Sequence, residues 1–501
     1  MTPDAGRLTG AIERGGVMIE QPIPSTVWTA ESMAALLARQ REAFLAGVPV
    51  TAATRIDRID RAIHLLADNE GRIADALSAD YGCRPRDLSR FTEAAASISV
   101  LKHARKRVRG WMKPERRKLD FPIGLLGGKA WVEYVPKGVV GIISPWNFPV
   151  YLIFGPLSGA LAAGNRAMIK PSELTPVTAA LIADLVGRTF DETEVAVCTG
   201  GADVGRAFSE LPLDHLLFTG GTAVGRLVMR AAADNLVPVT LELGGKSPVV
   251  VGRSADLGRA AKSVALGKLL NAGQICIAPD YVFVPSERVH DFVAAVEESV
   301  RSMYPTLKNN PEYTSIINQS HYARLKNFVE EARRSGAEVL EVNPAGEDLT
   351  DDGLHKMTPT IVIEPEEGLK LMQEEIFGPL LPVKGYQEID DVIAYVNDHP
   401  RPLCLYYFGD DAEERQRVLS HTTSGGVTLD EVIIHALIEA LPFGGIGSSG
   451  MGLYRGIDGF RTFSHAKGVF KAPLPNMWKL LGLVPPYGKA LQKTLAKELR
   501  V

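Results

Sequence analysis

At 501 residues the chain exceeds the length at which one hydrophobic core keeps growing, and 46% hydrophobic with 23% charged residues excludes a largely disordered protein. Lys+Arg at 55 against Asp+Glu at 59 gives a net charge of −4, which supplies no field for nucleic acid or an anionic membrane, so small molecules are the expected partners. No apolar run has spanning length and the charged start MTPDAGRLTGAIERGG lacks the core of a secretory signal, so a cytoplasmic protein without integral membrane association is expected.

Residues 1 to about 28 are rich in Gly and Pro without a sustained period, which predicts an arm on the surface or on a partner subunit, poorly ordered at its start. From Thr29, a candidate N-cap, Met33, Leu36, Leu37, Ala43 and Phe44 follow helical spacing, and a second helix is predicted over RIDRAIHLLADNEGRIADALSADY. The basic run in ASISVLKHARKRVRGWMKPERRKL reads as a solvated helix face followed by a loop. From Trp131, WVEYVPKGVVGIISPWNFP reads as a strand, a turn and a buried strand over Gly138 to Ile143. The apolar runs RAMIK, HLLFTG, VPVTLEL and SPVVVG then alternate with helical segments such as TPVTAALIADLVGRTF, the pattern of a parallel α/β sheet. A second such series after Gly252, including DYVFVP, HDFVAAVEESVRSMY and IDDVIAYVND, predicts a separate lobe. Beyond Gly459, FRTFSHAKGVFKAP is strand-like, and KALQKTLAKELRV places Leu491, Leu495 and Leu499 on one helical face, expected to dock on this chain or on a subunit partner.

Cys83, Cys198, Cys276 and Cys404 stand singly with no CxxC pair, so neither a metal site nor a disulfide framework is expected. In NAGQICIAPD, Gly273 is placed to end a helix and Pro279 prevents its restart, so Cys276 falls on a connection between elements. A lone cysteine is ordinarily a small buried hydrophobe. Upstream, LELGGKSP puts Glu242 at the end of an apolar strand before two glycines that allow close approach of other backbone. A carboxylate in such surroundings has a raised pKa suited to general-base work; the plainer reading is a strand-end charge facing water. In SPWNFP, Asn147 lies between Pro145 and Pro149, where it is either a turn residue or a fixed N–H donor for a developing oxyanion. FTGGTAVG gives Gly220-x-Thr222-x-x-Gly225 after a strand, a weak nucleotide signal alone, although the helix starting near Thr222 offers backbone N–H groups to a pyrophosphate.

Taken together, SPWNFP, KPSE, FTGGTAVGR, LELGGKSP, NAGQICIAP, EEIFGP and LPFGGIGSSGMG resemble the aldehyde dehydrogenase superfamily over roughly residues 30 to 470. AAGNRAMIKPSE, GGVT, the region of His435, SGMGLYRG and FSHAKG are similar to its class 3 branch, especially the coniferyl aldehyde dehydrogenase-like members. The resemblance implies oxidation of an aromatic or medium-chain aldehyde to the acid with NAD, or alternatively NADP. It implies Cys276 as nucleophile, Asn147 with the Cys276 backbone N–H as oxyanion donors, and Glu242 as the base that activates water. It implies cofactor contacts from Trp146, Lys170, Glu173, Gly220, Thr222, Gly225, Glu375 and Phe377, with Lys170 and Glu173 on the adenosine ribose and Glu375 and Phe377 at the nicotinamide end.

The implied fold is α/β, with two Rossmann-type parallel lobes and a small strand-based oligomerisation element. Residues 1–120 and 138–243 are expected to form the cofactor-binding domain and 244–445 the catalytic domain. Residues 121–137 and 460–501 are expected to form the oligomerisation element and tail of a homodimer. Two positions depart from the family pattern: Asp430 stands where Asn is usual, which touches the active-site wall, and Gly221 where Ser, Asn or Ala is commoner, which alters cofactor packing. The alternatives are a CoA-acylating relative, against which Glu242 argues, and a non-catalytic nucleotide-binding relative, against which the joint presence of Cys276, Glu242 and Asn147 argues. A cysteine hydrolase is a third, but no histidine stands in a recognisable pairing with Cys276.

Overall fold

The structure is a computed structural model that describes residues 28–500 apart from 122, 351–352 and 474–475, so the arm expected over residues 1 to about 28 lies outside the described residues but for Trp28. The chain enters through the helix Ala30–Gly47, where the Thr29 and Ser32 side chains each accept from the other's backbone N–H. That reciprocal cap satisfies two N–H groups which the helix cannot pair internally. The single helix expected over RIDRAIHLLADNEGRIADALSADY is two, Ala52–Asp68 and Glu70–Tyr81, divided at Asn69. The Asn69 amide donates to Leu65 O at 2.9 Å, so its side chain competes with the backbone ladder and stops the first helix. The basic run does form a helix, Ala96–Trp111, burying Val100, Leu101, Ala104 and Val108 on one face. The segment after it is not all loop, because Glu115–Arg117 pairs antiparallel with Lys129–Pro136.

Two open sheets carry the fold. In the six-stranded sheet the order is Gly450–Met451, Val239–Leu243, His215–Gly220, Val139–Ile143, Arg166–Lys170 and Val195–Val197, parallel except for its first member. The seven-stranded sheet runs Glu338–Glu341, Thr360–Ile363, Leu380–Tyr386, Tyr281–Pro285, Pro248–Val251, Cys404–Phe408 and Gly426–Leu429, again parallel except for its first member. Strands buried on both faces favour apolar residues on both sides, which is why Ala167–Ile169, Leu216–Phe218 and PVVV read as continuous rather than alternating runs, with Arg166, Lys170, His215 and Thr219 as buried polar positions toward the strand ends. One cluster of buried side chains reaches from Val140, Ile142 and Ile169 of the first sheet to Val249, Val251, Val282 and Val383 of the second. Burial of each contributes roughly 1.5–3 kcal/mol before entropy is counted. A third, antiparallel sheet joins Glu115–Arg117, Lys129–Pro136 and Ser464–Lys471, the last two paired from Ser464 with Pro136 to Lys471 with Lys129. The C-terminal segment is helical over Lys489–Glu498; Leu495 and Leu499 are exposed, whereas Leu491 is half-buried and Thr494 Oγ1 donates to Leu481 O at 3.1 Å, so among the described residues the three-leucine face is covered only at its start.

Candidate active site

In the six-stranded sheet the chain winds outward from Val139–Ile143 through Arg166–Lys170 to Val195–Val197, then returns to place His215–Gly220 on the other side of Val139–Ile143. The crevice outside the carboxyl ends of strands at such a switch point is where open α/β sheets bind ligands. Ile143 leads there into the turn bearing Trp146 and Asn147, Gly220 into the helix Thr222–Asp234, and Leu243 into Gly244. The seven-stranded sheet faces this crevice with the segments that precede its strands: Cys276 before Tyr281–Pro285, and Glu375 with Phe377 before Leu380–Tyr386. Between them lies a cavity of about 230 Å³ lined by Trp146, Asn147, Gly220, Glu242, Cys276, Glu375 and Phe377, together with His321 and Arg324. The two sheets thus bring together residues spread over nearly half the sequence.

The preceding helix ends at Leu269, earlier than Gly273, and Asn271, Ala272 and Gly273 all have φ near +50 to +74°. This left-handed run turns the chain sharply toward the cavity. At Gly273 a Cβ would come within 2.3 Å of Gly378 O, so glycine is required by both conformation and space. Asn147 Nδ2 donates to Gln274 O at 3.2 Å, which ties the oxyanion candidate to the loop of Cys276 and leaves its second N–H for a ligand. The backbone carbonyl of Asn147 accepts in turn from Arg84 Nη1 at 2.9 Å and from Tyr81 Oη at 3.2 Å. Burial pushes the Cys276 thiol up, with the Glu242 and Glu375 carboxyls adding to it, so the resting group is the protonated thiol.

Glu242 is 2% exposed, and neither carboxyl oxygen has a hydrogen-bond partner among the described residues. Burial pushes it up to about 8, with the Arg455 guanidinium pulling the other way. Glu375 is likewise pushed up to about 8, by burial and then by Asp280, and its Oε1 has no partner among the described residues. The glycine pair after Glu242 admits this second carboxyl: a Cβ on Gly244 would lie 2.0 Å from Glu375 Oε2. Lys246 holds the segment in place, pairing with Asp280 and donating to Leu371 O at 2.8 Å and Glu374 O at 3.0 Å. Phe377, at φ +51°, meets Trp146 edge-on with ring centroids 5.3 Å apart.

Four sequence candidates stand outside the cavity lining. Lys170 is buried and donates to Glu173 Oε2 at 2.9 Å, while the Glu173 side chain is 46% exposed. Burial raises the Glu173 carboxyl, but the Lys170 ammonium and the residue's own backbone N–H outweigh it and hold the group below the usual range. Thr222 opens the helix Thr222–Asp234, whose N-terminus has no side-chain cap, and Gly225 is buried in its first turn against Leu243.

A model of the aldehyde dehydrogenase family matches residues 24–469. The chain belongs to the aldehyde dehydrogenase family. It is 54% identical over 466 residues to a probable coniferyl aldehyde dehydrogenase of Caulobacter vibrioides, covering 93% of this chain and 96% of that protein. It is 51% identical over 468 residues to a coniferyl aldehyde dehydrogenase of a Pseudomonas species, covering 93% and 96%. Among solved structures it superimposes on Staphylococcus aureus AldH in a substrate-bound state with a TM-score of 0.86 at 34% identity, over 93% of this chain and 99% of that one. It is therefore an enzyme, an oxidoreductase that takes an aldehyde to the carboxylic acid with NAD(P) as electron acceptor.

Both departures from the aldehyde dehydrogenase pattern have local explanations. Asp430 has φ +56°, a conformation Asn and Asp tolerate better than other residues, and its Oδ1 accepts from Gly409 N at 3.1 Å as an amide oxygen also would. Gly221 lines the cavity with nothing within 4 Å of an added Cβ, so it leaves open space beside the helix N-terminus. Sequence reasoning missed Arg455, which is buried, lies 4.4 Å over the Phe443 ring, and has no partner for Nε or Nη1 among the described residues. It also missed Glu93 and Arg84, both fully buried, paired at 2.9 Å behind Asn147. Arg455 lies within the motif SGMGLYRG, which could have drawn notice to it; Glu93 and Arg84 carry no motif signal.

Proposed function

We propose that the chain oxidises an aromatic aldehyde of the coniferyl type, with NAD preferred over NADP, through a thiohemiacetal and a thioester on Cys276. The observation that carries the chemistry is one cavity containing a thiol, an amide donor and a buried carboxyl with no partner among the described residues. The substrate class rests on the two relatives named for coniferyl aldehyde.

The Cys276 thiol gives up its proton to solvent in the crevice, and the thiolate adds to the carbonyl carbon. The second N–H of Asn147 and the backbone N–H of Cys276 take up the negative charge that develops on oxygen. Bound nicotinamide supplies the hydride acceptor. Glu242 then removes a proton from water, the hydroxide displaces the thiolate from the thioester, and the acid leaves. The residues present fit the nucleotide: the helix Thr222–Asp234 offers uncapped N–H groups, Glu173 is an exposed acceptor just past a strand end, and Glu375 Oε1 is a buried acceptor without a partner among the described residues. The division into a cofactor domain over 1–120 and 138–243, a catalytic domain over 244–445, and an oligomerisation element with tail over 121–137 and 460–501 belongs to this reading. So do the homodimer and the cytoplasmic location. The exposed leucines of the last helix are then a surface for the partner subunit.

The test is a panel of aldehydes assayed with each cofactor, with products identified in the presence and absence of CoA. Coniferyl aldehyde as the substrate with the highest kcat/KM, NAD as the better acceptor and free acid as product are expected. An acyl-CoA product, or strong preference for short aliphatic aldehydes, contradicts the reading.

A further inference from the structure

Cys83 lies outside the cavity, just after the helix Glu70–Tyr81, and is partly exposed. It is not an isolated thiol. Nζ of Lys356, from the segment before the strand Thr360–Ile363, donates to its sulfur at 3.2 Å across 273 residues of sequence. Lys356 is 5% exposed, and the Asn310 carbonyl, at 3.0 Å, and the Tyr313 carbonyl accept from the same nitrogen and hold it in place. Burial pushes the Lys356 amine down, with Cys83 opposing, which enlarges the fraction carrying a free lone pair. The carbonyls of Asn310, Pro311 and Tyr313 lie at 3.6–3.8 Å around the sulfur. The other two thiols outside the cavity differ: Cys198 and Cys404 are both buried, and the sulfur of Cys404 meets the His435 ring rather than an amine.

We propose that Cys83 and Lys356 form a peroxide-driven, reducible sulfur–nitrogen cross-link. Hydrogen peroxide oxidises the thiol: the sulfur attacks one peroxide oxygen, the O–O bond breaks, and a sulfenic acid and one water result. The neutral Lys356 amine then attacks that sulfur. The S–N bond forms, the S–O bond breaks, and the departing hydroxide takes a proton from nitrogen as a second water. One peroxide is reduced by two electrons and one thiol is oxidised by two. The partly exposed position of Cys83 admits the peroxide, while the amine already in contact intercepts the sulfenic acid before a second oxidation.

The link would bear on the active site through neighbouring residues. Cys83 O accepts from Ser315 N at 2.9 Å, Ser315 O accepts from Gln274 Nε2 at 3.1 Å, and Arg84, the next residue, donates to Asn147 O. Cross-linking would therefore clamp the frame behind the loop of Cys276.

The full chain is treated with hydrogen peroxide, alkylated, digested without reductant and analysed by mass spectrometry. The expected product is a peptide pair joining Cys83 to Lys356, lighter than the sum of the two peptides by two hydrogens and separated again by dithiothreitol. Lys356→Arg keeps the cation and its hydrogen bonding but removes the condensing amine, so its Cys83 should go on to the sulfinic acid, which dithiothreitol does not reverse. Scoring by peptide keeps oxidation of Cys276 from interfering. A wild-type digest in which Cys83 is alkylated or sulfinic with no joined pair overturns the proposal, as does the same Cys83 product distribution in wild type and Lys356→Arg.

Discussion

Glu93 and Glu242 are both carboxyls taken out of water around one crevice, and they are treated in opposite ways. Glu93 receives Arg84 Nη2 at 2.9 Å on one oxygen, and Val150 N at 3.0 Å and Tyr151 N at 2.8 Å on the other, capping the helix Tyr151–Ala163. Glu242 receives no hydrogen bond from any described residue. Burial raises both, but Arg84 and two backbone N–H groups pull Glu93 back, whereas only Arg455 opposes the rise at Glu242. A buried charge with its full set of partners holds structure; one without partners is a cost the fold bears for chemistry. The two are linked, because Arg84 also donates to Asn147 O, so the satisfied carboxyl braces the proposed oxyanion donor beside the unsatisfied one.

The sharpest way to break this contrast is to remove each carboxyl. Glu242→Gln should lower steady-state turnover by about 10²–10⁴, the range for loss of a general base. Its urea midpoint at mildly acidic pH should stay close to wild type, since a neutral acid is exchanged for a neutral amide. Glu93→Ala should do the reverse in kind: it breaks a buried ion pair and should lose about 3–5 kcal/mol of stability in urea melts. Equal destabilisation by the two substitutions would erase the distinction.

A pH series sharpens it further. The base form of Glu242 predominates only above its raised pKa, so wild-type turnover should climb as pH rises through about 8, and Glu242→Gln should lack that limb. The stability effect has the opposite sign. A carboxyl whose folded pKa is raised favours the fold below its unfolded value of about 4.5 and loses that contribution as pH rises to about 8. Wild type should therefore lose stability relative to Glu242→Gln across that window, measured by urea melts at each pH.

The smallest effect is expected at Glu173, the proposed adenosine-ribose contact outside the cavity lining. A 2′-phosphate beside Glu173 meets a repulsion of about 1–4 kcal/mol, and the exposure of this side chain places it at the low end. Glu173→Gln should narrow the gap in Kd between NAD and NADP by about fivefold to tenfold, mainly through tighter NADP binding seen by titration calorimetry.

Much of this was legible in sequence, for identifiable reasons. Strands buried on both faces carry continuous apolar cores, and glycine and proline mark their ends, so RAMIK and HLLFTG map directly onto strands. Cys276, Glu242 and Asn147 lie in short motifs whose co-occurrence is specific, and the fold brings all three to one cavity. Break points set by a side chain rather than by Gly or Pro were not legible: Asn69 ends a helix through its own amide, within a pattern of unbroken helical period. Nor was the Glu93–Arg84 brace, because isolated charges in a polar helical stretch look solvated until tertiary packing buries them. Arg455 stood inside a recognised motif, but no spacing rule indicates that its charge acts on Glu242.

The most direct test of the central claim is the state of Cys276 during turnover. Glu242→Gln mixed with NAD and an aldehyde, then quenched in acid and digested, should carry the acyl group as a thioester on the Cys276 peptide, after a rapid burst of reduced cofactor. Cys276→Ala should show neither burst nor adduct. An acyl group found on Cys83, Cys198 or Cys404, or slow cofactor reduction without a burst in Glu242→Gln and near wild-type turnover in Cys276→Ala, would contradict the assignment of Cys276 as nucleophile and Glu242 as the deacylating base.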